Sequence, residues 1–529
     1  MQALSSSRKG IKAQAGYGAI SNEAPVLSLP IEIACLIFRE AHLAIEANRE
    51  DDQIRVHLTE VAISHVCQQW RSTAIGLPIL WSSFYYHGPS ATYTTLRRFE
   101  MYLKRSRSHT LELVMDFRQP IRDWELNVAV LDMALTAVSR WRLVSIFSLD
   151  TTSNFIRLKL KELHAPHLEH LTLFPNVSFD SGVNLTLKHS IGPHIFAEGA
   201  PRLKSVWVDT SAPNLYLPPL SAVTTLRIEN GRMNLVFSLD TLRAILTLPN
   251  LENLSMFETW CESTNVMGGT PEVVPLILMK RLKHLRLSDN VPVLHLLKIV
   301  RAPLLETIMS EYTFSSGNDR HAQGGIYSFP SLASLVLFDI RFESLDSLRI
   351  FMEMTSAVRH LTIVHRNSRV IDGVLGKMPY PSDQNPSPVW PHLETLTIDS
   401  RSNGMDILIE DVLPMFLKGH QRGDAGLTLR ISDTRARGWK QVGYPQMIYA
   451  TFAELCTIEK VPVKELYDPM PWPPGGDSVL GRRIDLEAVP FAIKPILDSP
   501  AFCQRTFWYP QMNLPLEGPI TEVLTPWIQ

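Results

Sequence analysis

One short pattern recurs along the middle of this 529-residue chain and limits its possible folds more than any other feature. Most copies have a leading proline, an apolar anchor two residues later, and then two apolar residues separated by one residue. Successive residues of a β-strand point to opposite faces of a sheet, so the last two apolar residues of a copy share a face. Clear copies occupy residues 166–173, 201–208, 249–256, 281–287, 303–309, 330–337 and 391–398, with weaker copies at 143–146, 223–228 and 358–363.

The spacing of the copies predicts a repeating architecture. Anchors from Leu168 to Leu393 are on average about 28 residues apart, which is the length of one strand plus a helix or loop. Units of this kind stack and pair their strands in a parallel sheet. The pattern resembles the leucine-rich repeat, although the steps are uneven and the Asn that usually follows the strand is mostly missing. The predicted fold class is therefore α/β, with an irregular leucine-rich-repeat solenoid whose parallel sheet lines a concave face.

Residues between the inward apolar positions are expected to point outward on that concave face. Trp207, Phe257 and Phe338 fall at such positions, and exposed aromatic side chains there are unfavourable unless they serve binding. These three residues are predicted to contact a target protein, with Arg227 and Arg286 supplying charge recognition. The alternative is that a loop or the C-terminal region covers them.

A different pattern precedes the repeats. Residues 29–38 predict a helix in which Pro30 supplies the preset φ of a first turn and Ile33, Leu36 and Ile37 share one face. The charged residues 46–53 predict a loop, and further helical segments follow up to Trp81. A unit of about sixty residues cannot bury this much apolar surface alone, so a partner or the next domain must cover it.

Three motifs in this helical zone carry a family resemblance. Leu29-Pro30-x-Glu32-Ile33 with Ile37-Phe38, then Val66-Cys67-x-x-Trp70-Arg71, then Pro78-x-Leu80-Trp81, together resemble the F-box. The resemblance is closest to the large fungal group with an extended loop between the first two helices. The chain departs from the family at Ala34, where Leu is usual, and in the length of the inserted loop.

The resemblance implies a partner, namely the cullin-ligase adaptor of the S-phase-kinase-associated type, through which a cullin is reached indirectly. The alternative for some of the matching positions is that they only pack the helices together. Trp70 and Trp81 are the clearest cases. By analogy the positions nearest the adaptor are Leu29, Pro30, Ile31, Ile33, Ile37, Val66, Cys67 and Trp70.

The chain divides into four zones by composition. Residues 1–24 are rich in Ser, Gly and Ala and are predicted to be disordered, residues 25–85 carry the F-box pattern, and residues 90–435 carry the repeats. Residues 436–529 form a Pro-rich region, with twelve prolines from position 461 onward that exclude long helices and central strands there. Its many aromatic residues predict irregular structure packed against the end of the solenoid.

Composition and motif content exclude several classes of function. The net charge of −2 gives no bulk attraction to nucleic acid or membranes. Five scattered cysteines without a CxxC pair argue against disulfides and zinc, and no apolar signal segment begins the sequence, so a cytoplasmic or nuclear location is expected. No phosphate-binding, dinucleotide-binding, zinc-protease or nucleophile-elbow motif occurs, so no enzymatic activity and no cofactor are expected.

The resemblance therefore implies a substrate-recognition subunit of an SCF-type cullin-RING ubiquitin ligase, in which the F-box binds the adaptor and the repeats bind the target. One alternative is a protein-interaction scaffold whose divergent F-box engages no ligase. Another is a hydrolase or transferase within the Pro-rich region, although no sequence motif supports it.

Overall fold

A computed structural model shows a chain built around one large parallel sheet. The residues that the structure describes are 29–47, 58–87, 92–118, 124–148, 150–174, 192–229, 236–237, 239–256, 260–261, 276–288, 293–311, 327–338, 342, 345–365, 389–400, 409–420, 426–439, 444–462 and 472–474.

The main sheet has fourteen strands, and each new strand lies beside its predecessor in chain order. All its pairings are parallel. Its strands are β1 (Ser83–His87), β2 (Leu111–Phe117), β3 (Trp141–Ser148), β4 (His170–Phe174), β5 (Ser205–Val208), β6 (Thr225–Ile228), β8 (Asn253–Met256), β11 (His284–Ser288), β13 (Thr307–Glu311), β14 (Ser334–Phe338), β15 (His360–His365), β16 (Thr395–Ser400), β17 (Thr428–Ser432) and β18 (Thr457–Val461). Two small parallel pairs complete the numbering: β7 (Val236–Phe237) with β9 (Trp260–Cys261), and β10 (Ile277–Leu278) with β12 (Val300–Arg301).

Helices precede the sheet and occupy many of its connections. They are α1 (Ile31–Ala47), α2 (Thr59–Ser64), α3 (Gln68–Gly76), α4 (Tyr93–Arg105), α5 (Trp124–Leu135), α6 (Asp150–Leu160), α7 (Ala212–Leu215), α8 (Leu239–Leu246), α9 (Val293–Ile299), α10 (Leu345–Met354), α11 (Ile409–His420), α12 (Asp433–Trp439) and α13 (Tyr444–Leu455). Among the described residues no helix has both the length and the apolar character needed to cross a membrane.

The same turn leads into many of the strands. In the copy at 166–173, the backbone N–H of the anchor Leu168 donates to the carbonyl of Ala165 at 3.2 Å, three residues earlier. The leading proline thus occupies the second position of a β-turn, where its fixed φ is favourable. The same bond joins Leu203 to Ala200, Leu305 to Ala302, Leu332 to Phe329 and Leu393 to Trp390. Each acceptor residue is itself buried, so the turn also fills part of the core.

One continuous core lies between the inward face of the sheet and the helices. Within β11, Leu285 and Leu287 are buried, whereas the alternate residues point away from this core, as period-two geometry requires. Helical side chains such as Leu297 of α9 and Phe351 of α10 complete the same cluster. Burial of these apolar side chains is the main source of stability, at roughly 25 cal/mol for each Å² removed from water.

The N-terminal helices are joined to the beginning of the sheet through Trp81. Its indole nitrogen donates to the carbonyl of Ala74 in α3 at 2.8 Å, and its ring meets Tyr102 of α4 edge to face. The hydroxyl of Tyr102 in turn donates to the buried carboxylate of Glu60 in α2. Burial, with the nearby charge of Glu60, raises the pKa of Tyr102 far above its usual value, so this hydroxyl stays protonated. The helices and the sheet therefore share one core.

The α/β class with a large parallel sheet is confirmed. Strands occur at all ten repeat copies seen in the sequence, and the sheet also extends beyond them through β1, β2, β17 and β18. Regular structure continues to Val461, past the boundary at 435, because α12, α13 and β18 add one more strand and its helices. Residues 1–24 and most of the Pro-rich region lie outside the described residues.

The core position of the sheet residues can be tested at Leu285. Leu285→Ala is expected to lower the free energy of unfolding by about 2–5 kcal/mol, because a side chain that is 1% exposed leaves a cavity. Leu304→Ala removes the same atoms from a site that is 47% exposed, and a change of at most about 0.5 kcal/mol is expected. Urea denaturation followed by circular dichroism measures both, and equal effects would contradict the assignment of the core.

Candidate binding surfaces

Helix α1 presents apolar side chains on two sides. Phe38 and His42 are buried, and Phe38 meets Trp70 of α3 edge to face at 4.9 Å between ring centroids. Ile33, Leu36, Ile37 and Leu43 are exposed, and at 3.6 residues per turn they fall within an arc of about 120°. Ile31 in the first turn is 58% exposed. A helix that is apolar on both sides has one side left for a partner.

The helix starts as the sequence suggests, but Pro30 lies just before it. The carbonyl of Pro30 accepts the N–H of Ala34 at 3.1 Å, so Pro30 precedes the first helical residue, Ile31. Pro30 is exposed and Leu29 is half-buried. Ala34 packs against the core, so the departure from the F-box pattern at this position faces the interior and leaves the exposed side of α1 unchanged.

The second motif divides between the surface and the interior. Val66, in the turn between α2 and α3, is 59% exposed. Cys67 is half-buried, and its sulfur accepts the backbone N–H of Trp70 at 3.4 Å, which caps α3. Trp70 is half-buried against Phe38. Cys67 and Trp70 thus hold α3 in place, whereas Val66 remains available to a partner.

Exposed apolar side chains are concentrated in these helices. Of the sixteen large apolar side chains that are exposed in the described part of the chain, seven lie between Ile31 and Ile75. Leu36 and Leu43 belong to this set although they were not among the predicted contact positions. The helical period of α1 already places Leu36 on the same face as Ile33 and Ile37, two of the predicted contact positions. We define the helix surface as Ile31, Ile33, Leu36, Ile37, Leu43 and Val66.

The outer face of the sheet forms a second candidate surface, and its side chains lie in rows. Parallel pairing in equal register places Trp207 of β5 beside Arg227 of β6, and the same row continues through Ser255, Arg286 and Met309. Neighbouring strands lie about 4.8 Å apart, so side chains along a row touch and cover one another.

Trp207 belongs to an aromatic cluster that spans β3, β4 and β5. It packs with Phe174 and Phe147, and only 8% of its surface is exposed. Guanidinium groups lie over two of the rings: Arg227 is 3.9 Å from the centroid of Trp207, and Arg118 is 4.9 Å from that of Phe147. Such cation–π contacts stabilise the cluster.

Arg227 also belongs to an ionic cluster with Glu229, Ser255 and Arg286. Arg227 donates to both carboxylate oxygens of Glu229, at 3.1 and 2.8 Å, and the hydroxyl of Ser255 donates to Glu229 at 2.5 Å. Arg286 lies 3.6 Å from the same carboxylate. Burial alone would raise the pKa of Glu229, but the two guanidinium charges outweigh it and hold the pKa below its usual value.

The expectation that the predicted target residues would be exposed is wrong for two of them. Trp207 and Arg286 are buried, and Arg227 is partly buried under its bond to Glu229. The reason is lateral packing along the rows, which covers side chains that point away from the core. Trp207, Arg227 and Arg286 are nevertheless brought together, because Arg227 contacts both Trp207 and Glu229. Phe257 lies outside the described residues.

Phe338 lies in a third group on this face, together with part of the Pro-rich region. Met309 of β13 and Val336 of β14 are buried against Trp472, and Phe338 packs beside them. The ring of Trp472 meets His284 of β11 edge to face at 6.2 Å. Here Trp472 of the Pro-rich region packs on the outer face of the sheet, whereas β18 of the same region extends the end of the sheet. We define the Trp472 seat as His284, Met309, Val336 and Phe338.

Within the described residues no three His, Cys, Asp or Glu side chains converge as metal ligands. Comparison with protein-family models gave no match, and comparison with curated proteins gave none either.

The ionic cluster predicts a pH-dependent contribution to stability. Glu229→Gln is expected to lower the free energy of unfolding at pH 7 by about 3 kcal/mol or more, because the buried guanidinium group of Arg286 and the partly buried one of Arg227 lose their counter-charge. The pKa of Glu229 in the folded protein lies below the unfolded value of about 4.3. The stabilisation that its carboxylate provides is therefore fully present above about pH 4.3 and is lost as the pH falls through the folded pKa. The difference between the two proteins in urea denaturation should therefore shrink below about pH 4.3.

A matched exposed pair gives the control. Glu353→Gln removes the carboxylate that Arg349 contacts at 3.1 Å on the surface of α10, and a loss of at most about 0.5 kcal/mol is expected. If Glu229→Gln lowered the free energy of unfolding by no more than this control, the ionic cluster would not stabilise the sheet.

Proposed function

We propose that this chain is a substrate-recognition subunit of an SCF-type cullin-RING ubiquitin ligase. The helix surface binds the adaptor of the S-phase-kinase-associated type, and the outer face of the sheet binds the target protein. The three F-box-like motifs between Leu29 and Trp81 and the leucine-rich-repeat-like pattern after them are the basis for naming this class.

The observation that carries the proposal is the exposed side of α1 formed by Ile33, Leu36, Ile37 and Leu43, together with the exposed side chains of Ile31 and Val66. Apolar side chains cluster there while the opposite side of α1 is packed against α2 and α3. Such a patch is unfavourable in water and marks a protein-binding site. Within the predicted adaptor positions, Pro30, Ile31, Ile33, Ile37 and Val66 are exposed and suited to direct contact. Leu29, Cys67 and Trp70 are half-buried, and we assign Cys67 and Trp70 to holding the contact residues in position.

The repeats supply a second and separate surface. The helix surface lies before β1, whereas the outer face of the sheet extends over fourteen strands beyond it. Two proteins can therefore be held at once. Under this proposal the chain itself transfers no ubiquitin; it raises the effective concentration of the target near the enzyme that does. A reducing compartment, cytoplasmic or nuclear, suits the thiols of Cys35, Cys67 and Cys456, which are free.

The proposal is tested by adaptor binding to the purified chain. Ile31→Ala combined with Val66→Ala is expected to raise the Kd for the adaptor at least tenfold, because both substitutions remove exposed apolar surface that the adaptor would bury. Both residues are more than half exposed, so folding should be unaffected. Biolayer interferometry with purified adaptor measures the affinity.

Leu158→Ala is the matched control, since Leu158 is 57% exposed on α6 and lies outside the helix surface. It should bind the adaptor like the unmodified chain. Absence of adaptor binding by the unmodified chain would refute the ligase proposal and leave a protein-interaction scaffold as the function. Equal affinities for the double variant and the control would contradict the assignment of Ile31 and Val66 to the adaptor interface.

A further inference from the structure

Helix α4 carries a cluster of positive charge around one exposed apolar side chain. Its sequence contains four basic residues and one acidic residue, whereas the whole chain has a net charge of −2. Met101 in this helix is 45% exposed. Residues three and four positions apart are neighbours on a helix surface. All four positions at these distances from Met101 are basic: Arg97, Arg98, Lys104 and Arg105. We define the cationic face of α4 as these four residues and Met101.

The cationic face occupies one side of the helix. With 3.6 residues per turn, its five residues fall within an arc of about 120°, and Met101 lies in the middle of that arc. The pair Arg97–Arg98 and the pair Lys104–Arg105 are two turns apart, or about 10.5 Å along the helix axis, with Met101 midway between them. Phe99 and Tyr102, on the other side of α4, are buried and attach the helix to the core.

Aromatic rings hold two of the guanidinium groups in place. Arg105 lies 4.3 Å from the centroid of Trp81, and Arg98 lies 5.3 Å from that of Phe84. A cation–π contact stabilises a cation but supplies no counter-ion, so both charges remain. Side chains that are already held in place lose little conformational freedom when a ligand binds them. Arg97 and Lys104, the other two cations, are exposed.

The four cations have no carboxylate partner. Among the residues that the structure describes, no Asp or Glu lies within ion-pair distance of any of them. Basic residues on other helices are paired: Arg243 of α8 lies 3.4 Å from Asp240, and Arg349 of α10 lies 3.1 Å from Glu353. A cluster of uncompensated charge attracts groups of the opposite sign. The cationic face therefore favours an anionic partner.

Met101 narrows the choice of partner. An apolar centre with a charged rim is the anatomy of a protein interface, and the flexible side chain of Met adapts to an apolar group placed against it. Nucleic acid would bring its phosphates but no apolar side chain to this position. A membrane surface would need a broader apolar face than a single Met supplies.

The spacing of the two cation pairs indicates the form of the partner. A second helix rises by the same 1.5 Å per residue, so acidic residues seven positions apart would meet both pairs, with an apolar residue midway against Met101. We propose that the cationic face of α4 docks an acidic helix of a partner protein, in which pairs of Asp or Glu flank one large apolar residue. This site is separate from the helix surface and from the outer face of the sheet, and it does not depend on the proposed ligase function.

The test is fluorescence anisotropy with the full chain and a fluorescein-labelled, Ala-based peptide of about twenty residues, which is long enough to be partly helical. Its centre reads Glu-Glu-Ala-Ala-Leu-Ala-Ala-Glu-Glu. Arg97→Glu combined with Lys104→Glu is expected to raise the Kd at least tenfold, because one charge of each pair is reversed. Met101→Ala should raise the Kd at least threefold, because the apolar contact is lost. All three side chains are exposed, and circular dichroism shows that the variants are folded.

Arg202→Glu combined with Lys204→Glu is the matched control, since it makes the same change in net charge at two exposed residues just before β5. It should bind the peptide like the unmodified chain. A peptide with Gln in place of every Glu should bind at least tenfold more weakly.

Equal affinities for the two charge-reversed proteins, or for the Glu and Gln peptides, would overturn the inference. Absence of peptide binding, or binding of a single-stranded oligonucleotide in its place, would overturn it as well. Because the adaptor is absent from this assay, failure of adaptor docking would not affect the result.

Discussion

Parallel pairing in equal register between neighbouring strands is the constraint on which the rest of the structure depends. Each strand of the main sheet continues the pairing of the one before it, so a residue such as Leu285 aligns with Leu254 on one side and Ile308 on the other. A shift of one residue would exchange the inward and outward sides of a strand. The turn that closes on five of the anchors opposes that shift, because it fixes where the strand begins relative to the buried residue before the proline.

The same constraint explains what the outer face contains. The aligned side chains form three groups, which follow one another along the sheet: the aromatic cluster, the ionic cluster and the Trp472 seat. Each group contacts residues from neighbouring strands that are far apart in the sequence. Glu229, for example, joins β6 to Ser255 of β8 and Arg286 of β11. Buried charge that is paired in this way ties adjacent repeats together.

Local patterns made the strands predictable, and long-range packing limited the prediction of the surfaces. The strands that follow Leu168 and its counterparts could be predicted, because the leading proline, the apolar anchor and the two alternating apolar residues all fall within eight residues. Strands β2 and β17 lack the apolar anchor, and β18 has Lys460 in place of the second apolar residue, so these three strands were not recognised. The exposure of Trp207 could not be read from its own repeat, because Phe174 and Arg227 on the two adjacent strands cover it. For the helices, the motifs indicated Ile31 and Val66, but only the packing of Phe38 against Trp70 shows which side of α1 stays open.

The order of the strands also fixes the distance between the N-terminal helices and the Trp472 seat. Eight strand spacings separate β1, next to the helices, from β13 in the Trp472 seat, a path of about 38 Å along the sheet. One continuous core runs from Phe38 to Phe452, so this separation is built into the packing and does not depend on a linker. Two molecules held at these positions would keep a set offset from each other, and inserting or deleting one repeat would change that offset in steps of about 4.8 Å.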